Sequence, residues 1–184
     1  MPRVQSRQIL AGMIALLLVG KATGGNRHHV VIDGGMVHLR GGLTASACTV
    51  SADSVNQTVD MGPFRSNQFN GVGSLAPPVA FSLRLNDCSK AVSDTVGVAF
   101  QGVTDGKDPQ VLRAGEGQNA ATGIGLALFD NQGELLVPNT AARSWTPLAQ
   151  GDMTLRFLAR YRATSHQVTA GNADAWTWFS LTYQ

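Results

Sequence analysis

Residues 173–183, Ala-Asp-Ala-Trp-Thr-Trp-Phe-Ser-Leu-Thr-Tyr, stand just before the final Gln184 and read as a strand that runs into the carboxyl terminus. Thr177, Phe179, Leu181 and Tyr183 fall on one face, and Trp176, Trp178, Ser180, Thr182 and Gln184 on the other, the two-residue alternation of a half-buried strand. The expectation is that no later segment covers its far edge. An edge of unpaired N–H and C=O groups beside apolar side chains is a template for another strand, and proteins normally blunt such an edge or use it. Nothing in this sequence blunts it, so the fold must place a partner strand there or leave the edge open.

The amino-terminal end bears on which strand that is. Arg3 and Arg7 precede an apolar run from Ile9 to Val19, the length of a secretory core and far short of a bilayer span. Residues 1–24 are therefore expected to be a signal peptide, with cleavage after Ala22 or after Gly24. The remaining chain is then one domain of ordinary size, able to bury its own core.

Export changes the reading of charge and cysteine alike. The fourteen Lys and Arg exceed the twelve Asp and Glu by two, but Arg3, Arg7 and Lys21 leave with the signal and no acid does. A near-neutral mature chain with no basic run gives no case for nucleic acid. The two cysteines, Cys48 and Cys88, enter an oxidising compartment, which favours a disulfide over a metal site or a catalytic thiol. Closing a loop of about forty residues in this way is worth roughly 4 kcal/mol in the chain-entropy picture.

Between the ends the pattern is all-β. Val79, Phe81, Leu83 and Leu85 alternate with Ala80, Ser82, Arg84 and Asn86 up to Cys88. Val96, Val98 and Phe100 form a second row, and Ile124, Leu126 and Leu128 a third, followed by an Asp130-Asn131-Gln132-Gly133 turn. Leu155, Phe157, Ala159 and Tyr161 form a penultimate strand with Arg156, Arg160 and Arg162 on its other face. About seven short strands with no convincing helical period predict a sandwich.

Upstream of Cys48, residues 30–39 form an extended stretch interrupted by Gly34 and Gly35. Its inward face is either Val31, Gly35, Val37 and Leu39 or Val30, Ile32, Gly34 and Met36. The first phase is adopted because it leaves His38 and Arg40 on the opposite face. The stretch is either a first sheet strand with a glycine bulge or a mobile arm that pairs elsewhere.

Several segments in order carry a family resemblance. They are Gly34-Gly35-Met36-Val37-His38-Leu39-Arg40-Gly41, Ala47-Cys48-Thr49-Val50, Gln57-Thr58-Val59-Asp60-Met61-Gly62, Phe81-Ser82-Leu83-Arg84-Leu85-Asn86-Asp87-Cys88, Gly97-Val98-Ala99-Phe100, Asn119-Ala120-Ala121-Thr122-Gly123-Ile124-Gly125, Ala159-Arg160-Tyr161, Asn172-Ala173-Asp174-Ala175 and the penultimate Tyr183. Together they resemble the type 1 fimbrial pilins of the chaperone-usher pathway over essentially the whole mature chain.

The resemblance implies an incomplete immunoglobulin-like sandwich lacking its last strand and completed by a donor strand. A periplasmic pilus chaperone lends that strand first, and the arm of a neighbouring pilin subunit then replaces it at the outer-membrane usher, a case of β-augmentation. It divides the chain into residues 1–24 (signal), 25–42 (donor-strand extension) and 43–184 (pilin domain). Val31, Gly35, Val37 and Leu39 become the donor residues. Val50, Val55 and Val59, on an early strand after Cys48, and Phe179, Leu181 and Tyr183 become the acceptor groove, and the Gln184 carboxylate becomes the terminus that the chaperone anchors.

No catalytic, metal or cofactor constellation competes with this reading. His28, His29, His38 and His166 show no helical metal spacing, and Ser82 and Ser180 lack a nucleophile-elbow context. Asp105, Asp108 and Asp130 read as turn residues. The expected function is a structural subunit of a fimbria that contributes to adhesion, with no membrane span in the mature chain. The alternatives are a carbohydrate-binding adhesin, for which Trp176 and Trp178 offer stacking surfaces, or an accessory subunit at an end of the rod.

Overall fold

The computed structural model describes residues 46–184, so the expected signal and the donor residues Val31, Gly35, Val37 and Leu39 lie outside the described residues. Nine strands form among the described residues: β1 (Thr49–Val50), β2 (Val79–Cys88), β3 (Thr95–Gln101), β4 (Leu112–Arg113), β5 (Ile124–Asp130), β6 (Leu135–Leu136), β7 (Trp145–Pro147), β8 (Gly151–Ala163) and β9 (Trp178–Tyr183). The one α-helix among them, α1, is a single turn at Ala52–Val55, and Ser66–Gln68 make a 3-10 turn.

Two antiparallel sheets result. One has the order β1-β2-β8-β5-β4 with β6 also on β5, and the other the order β7-β3-β9. Both long strands obey their alternation. On β8, Leu155, Phe157, Ala159, Tyr161 and Ala163 are all buried, while Arg156, Arg160 and Arg162 take the other face. On β2, Leu83 and Leu85 are buried and Arg84 between them is exposed.

The sheets meet through side chains the patterns point inward. Phe81 pairs with Phe157 across β2 and β8, their rings stacked at 5.4 Å, and Phe100 from the opposite sheet meets Phe157 edge-on at 5.4 Å. This offset and T-shaped packing adds to plain area burial. Val96, Val98, Leu128 and Leu148 complete the same cluster.

Cys48 and Cys88 form a disulfide. Parity along β2 would point residue 87, not residue 88, to the side of Leu83 and Leu85. A bulge resolves this: Leu85 pairs with Met153 and Cys88 with Gly151, so three residues on β2 span two on β8. Asp87 takes the extra step at φ 54°, and Cys88 returns to the interior at 1% exposure.

The strand expected to follow Cys48 is much shorter than its pattern suggested, because β1 ends at Val50. Ser51 N–H still donates to Arg84 O at 2.9 Å, but Arg84 N–H donates to the Ser54 hydroxyl at 2.9 Å, where a ladder would supply a carbonyl. A side-chain oxygen competing for backbone donors in this way favours a turn over a strand. Val55 is thus placed on α1 and not on a strand, at 57% exposure.

Candidate functional site

The last strand is narrower than the eleven-residue pattern, beginning at Trp178, and among the described residues its ladder runs along β3 alone. Ahead of it, the Thr177 hydroxyl donates to Gln101 O at 3.0 Å and pins the chain as it enters the sheet. Gly102 sets the approach, since a Cβ there would lie 2.8 Å from both Trp176 O and Leu112 Cδ2.

Burial changes sharply from β3 to β9. Phe179 stands opposite Phe100, Leu181 opposite Val98 and Tyr183 opposite Val96. The β3 members are 3%, 8% and 1% exposed, whereas all three β9 members are only half-buried, though they pack on the same core cluster. The other sheet repeats this at its own margin: Leu85 on β2 is fully buried, and its partner Val50 on edge strand β1 is half-buried. Val59 is half-buried too, outside any strand. Each sheet therefore ends in apolar residues that its neighbours cover on one side only. Val50, Phe179, Leu181 and Tyr183 belong to one cluster; Val55 and Val59 do not.

Met61 also packs on that cluster. Met61 lies in the Gln57–Gly62 segment that carries the family resemblance, but no strand alternation marks it as a groove residue, because residues 57–65 form no strand. The Tyr183 hydroxyl is buried and has no hydrogen-bond partner among the described residues. An unsatisfied buried hydroxyl costs about 1–3 kcal/mol.

The opposite margin is tied shut. Asp130, at the end of β5, accepts hydrogen bonds from Gln132 N–H and Glu134 N–H at 2.9 Å each, and from the Ser144 hydroxyl, next to β7, at 2.6 Å. Burial pushes this carboxyl's pKa up, but the Ser144 hydroxyl and the turn amides outweigh it and hold the pKa below the ordinary value. The chain end is also tethered, since Gln184 O accepts from Asp94 N–H at 2.9 Å and from Thr95 N–H at 2.8 Å. Asp105 and Asp108 serve turns as expected, accepting from Lys107 N–H and Gln110 N–H, and His166 is exposed. Among the described residues no helix is long and apolar enough to cross a membrane.

A model of the family described as fimbrial protein matches residues 37–184. A fimbrin-like protein of Salmonella typhi, FimI, is 48% identical over 156 residues, covering 84% of this chain and 88% of the relative. The type 1 fimbrial subunit of Salmonella typhimurium is 39% identical over 158 residues, covering 84% and 85%. Among solved structures, a type I fimbria protein of Burkholderia pseudomallei is similar with a TM-score of 0.58 and 36% identity, covering 76% of this chain and 91% of that one. The P pilus rod subunit PapA shares the fold with a TM-score of 0.65 at 22% identity, covering 76% and 100%.

Proposed function

Given that this chain belongs to the fimbrial protein family and is an exported structural subunit of chaperone-usher fimbriae at the cell surface, we propose that the open margin along β9 is the acceptor groove for a donated strand. The observation that carries this is the burial step between β3 and β9. Phe179, Leu181 and Tyr183 already pack on the core from one side, and a strand laid along the free edge of β9 covers the other. Its backbone satisfies the unpaired edge groups of β9.

Two donors use the groove in turn. A periplasmic chaperone supplies the first strand and holds the Gln184 terminus. At the outer-membrane usher, residues 25–42 of a neighbouring subunit replace it, with Val31, Gly35, Val37 and Leu39 facing the groove. Val50 and Val59 form the far wall, and Val55 is the weakest of the proposed lining residues because of its exposure.

The test is to add a peptide of residues 25–42 to the chaperone-bound subunit and follow release of the chaperone. Exchange by the native peptide and none by a peptide carrying Gly35→Leu supports the groove. Equal exchange by both peptides, or by neither, overturns it.

A further inference from the structure

One end of the β3-β9 pair carries three exposed apolar side chains. Trp178 begins β9 opposite Gln101 on β3 and is 71% exposed; Trp176, two residues earlier, is 76% exposed, and Val103, two residues past Gln101, is 57% exposed. The backbones that bear them run close together, since a Cβ on Gly102 would lie 2.8 Å from Trp176 O and 3.6 Å from Thr177 Cα. The two indoles alone present roughly 350 Å², the size of the largest apolar patch on a typical monomer, and such patches mark contacts. We propose that this patch seats the domain of the subunit whose arm fills the groove, so that the arm joins two subunits and the indoles fix the angle between them.

Resting on the acceptor-groove reading of β9, this contact is selected by topology. The chain enters the domain beside the far end of β9: Ser89 N–H donates to Ala47 O at 2.8 Å, and at the other end of the same turn Asp94 N–H and Thr95 N–H donate to Gln184 O at 2.9 and 2.8 Å. Between the last donor residue, Leu39, and Ser46 lie only residues 40–45, a reach of about 25 Å at most. The donor's 89–94 turn must therefore lie close to the point where its arm leaves the groove. An arm parallel to β9 would leave at Gln184, where the acceptor's own arm already departs, and the giving and receiving ends of each subunit would collide. An antiparallel arm leaves at Trp178, at the other end of the sheet, and lets head-to-tail addition continue. Every pairing between the named strands is antiparallel as well.

The donor brings an apolar counterpart to that junction, because Val92 in its 89–94 turn is 49% exposed. Area favours a tethered partner over a free one. A stable association of free proteins buries about 800 Å² per partner, more than twice what the indoles offer. A partner already held by its arm stands at high effective concentration, so a small contact is enough to orient it. The groove then supplies the holding strength and the indoles the geometry. Trp145 is the contrast within the same sheet: it packs over Gly97, where a Cβ would stand 3.0 Å from its ring, and needs no partner molecule to cover it.

The experiment labels the receiving subunit alone. Chaperone-bound subunit with 5-fluorotryptophan at its three tryptophans, and with Gly35→Leu so that it can only receive, is exchanged with either the peptide of residues 25–42 or an unlabelled chaperone-bound subunit. Fluorine NMR in H2O and D2O reads the exposure of each indole, assigned through Trp176→Phe and Trp178→Phe. The solvent shift of Trp176 and Trp178 should persist with the peptide and fall by at least half with the intact donor, while Trp145 stays the same in both. Val92→Asp on the donor should restore the shift without changing exchange. The double variant Trp176→Ser, Trp178→Ser should leave peptide exchange unchanged and widen the inter-domain distances that X-ray scattering gives for the two-subunit product. Indoles equally exposed in both products overturn the proposal, as does equal shielding by the peptide alone or shielding indifferent to Val92→Asp. Exchange with neither partner would overturn the groove reading, and this contact with it.

Discussion

Leu181→Ala distinguishes an open groove from an ordinary sandwich margin, provided it is measured in two backgrounds. One is the exported chain with its groove empty; the other carries an extra copy of residues 25–42 joined to its carboxyl terminus by a flexible linker. Leu181 is half-buried opposite Val98, so truncation in the empty background forfeits only part of a leucine's transfer free energy, about 1 kcal/mol. With a strand laid over it, the same truncation leaves an enclosed cavity and costs about 2–5 kcal/mol. The difference, a coupling of about 1–4 kcal/mol, is the quantity a double-mutant cycle isolates. The wild-type domain should itself gain about 2–4 kcal/mol from the added strand, since Phe179, Leu181 and Tyr183 each have roughly half of a 1.5–3 kcal/mol burial left to make. In thermal terms that is roughly ten degrees for a domain of this size. Urea unfolding with the disulfide intact gives all four free energies. Val98→Ala is the control, because at 8% exposure Val98 is already enclosed and its cost should change little between backgrounds. Equal Leu181→Ala costs in both backgrounds would refute the reasoning.

Cys48→Ser and Cys88→Ser should lower the yield of exported subunit to the same degree, because each breaks the one bridge worth roughly 4 kcal/mol; periplasmic yield and non-reducing mass mapping check this. Asp130→Asn should destabilise the domain by about 1–2 kcal/mol near neutral pH by weakening charge-assisted bonds to Ser144 and the turn amides. Because the folded pKa of Asp130 lies below the unfolded value, its contribution is present above about pH 4 and is lost as pH falls through the folded pKa; urea midpoints from pH 7 to pH 2 should therefore converge for variant and wild type at the acid end. In the arm, Gly35→Leu and Val37→Asp should abolish incorporation into fibres, the first by steric overlap and the second by burying an unpaired charge. Chaperone binding of the same subunits should persist, and loss of it in both variants would make residues 30–40 an internal strand.

What was legible in the sequence follows the physics of burial. β2 and β8 each bury one face, so their alternation is a direct print of the core. β3 and β5 were harder: Gly97 and Ala99 lie buried under the wall at residues 139–145, and Gly125 under Val111, so small residues that read as an outward face are covered. Strands of two residues, β1, β4 and β6, cannot display a period at all. The helical turn at Val55 escaped because Ser54 takes a backbone donor through its side chain, which no hydrophobic pattern records. The bulge at Asp87 escaped for a related reason, since parity predicts a side for Cys88 that only an extra residue corrects. The groove stands between these cases. Its inward residues on β9 obey the alternation as faithfully as those of β8, yet they stop at half burial because among the described residues no strand in their own sheet lies beyond them. Periodicity reports which face a strand presents to the core, and only the step in exposure from Val98 to Leu181 reports how much of that core one molecule supplies.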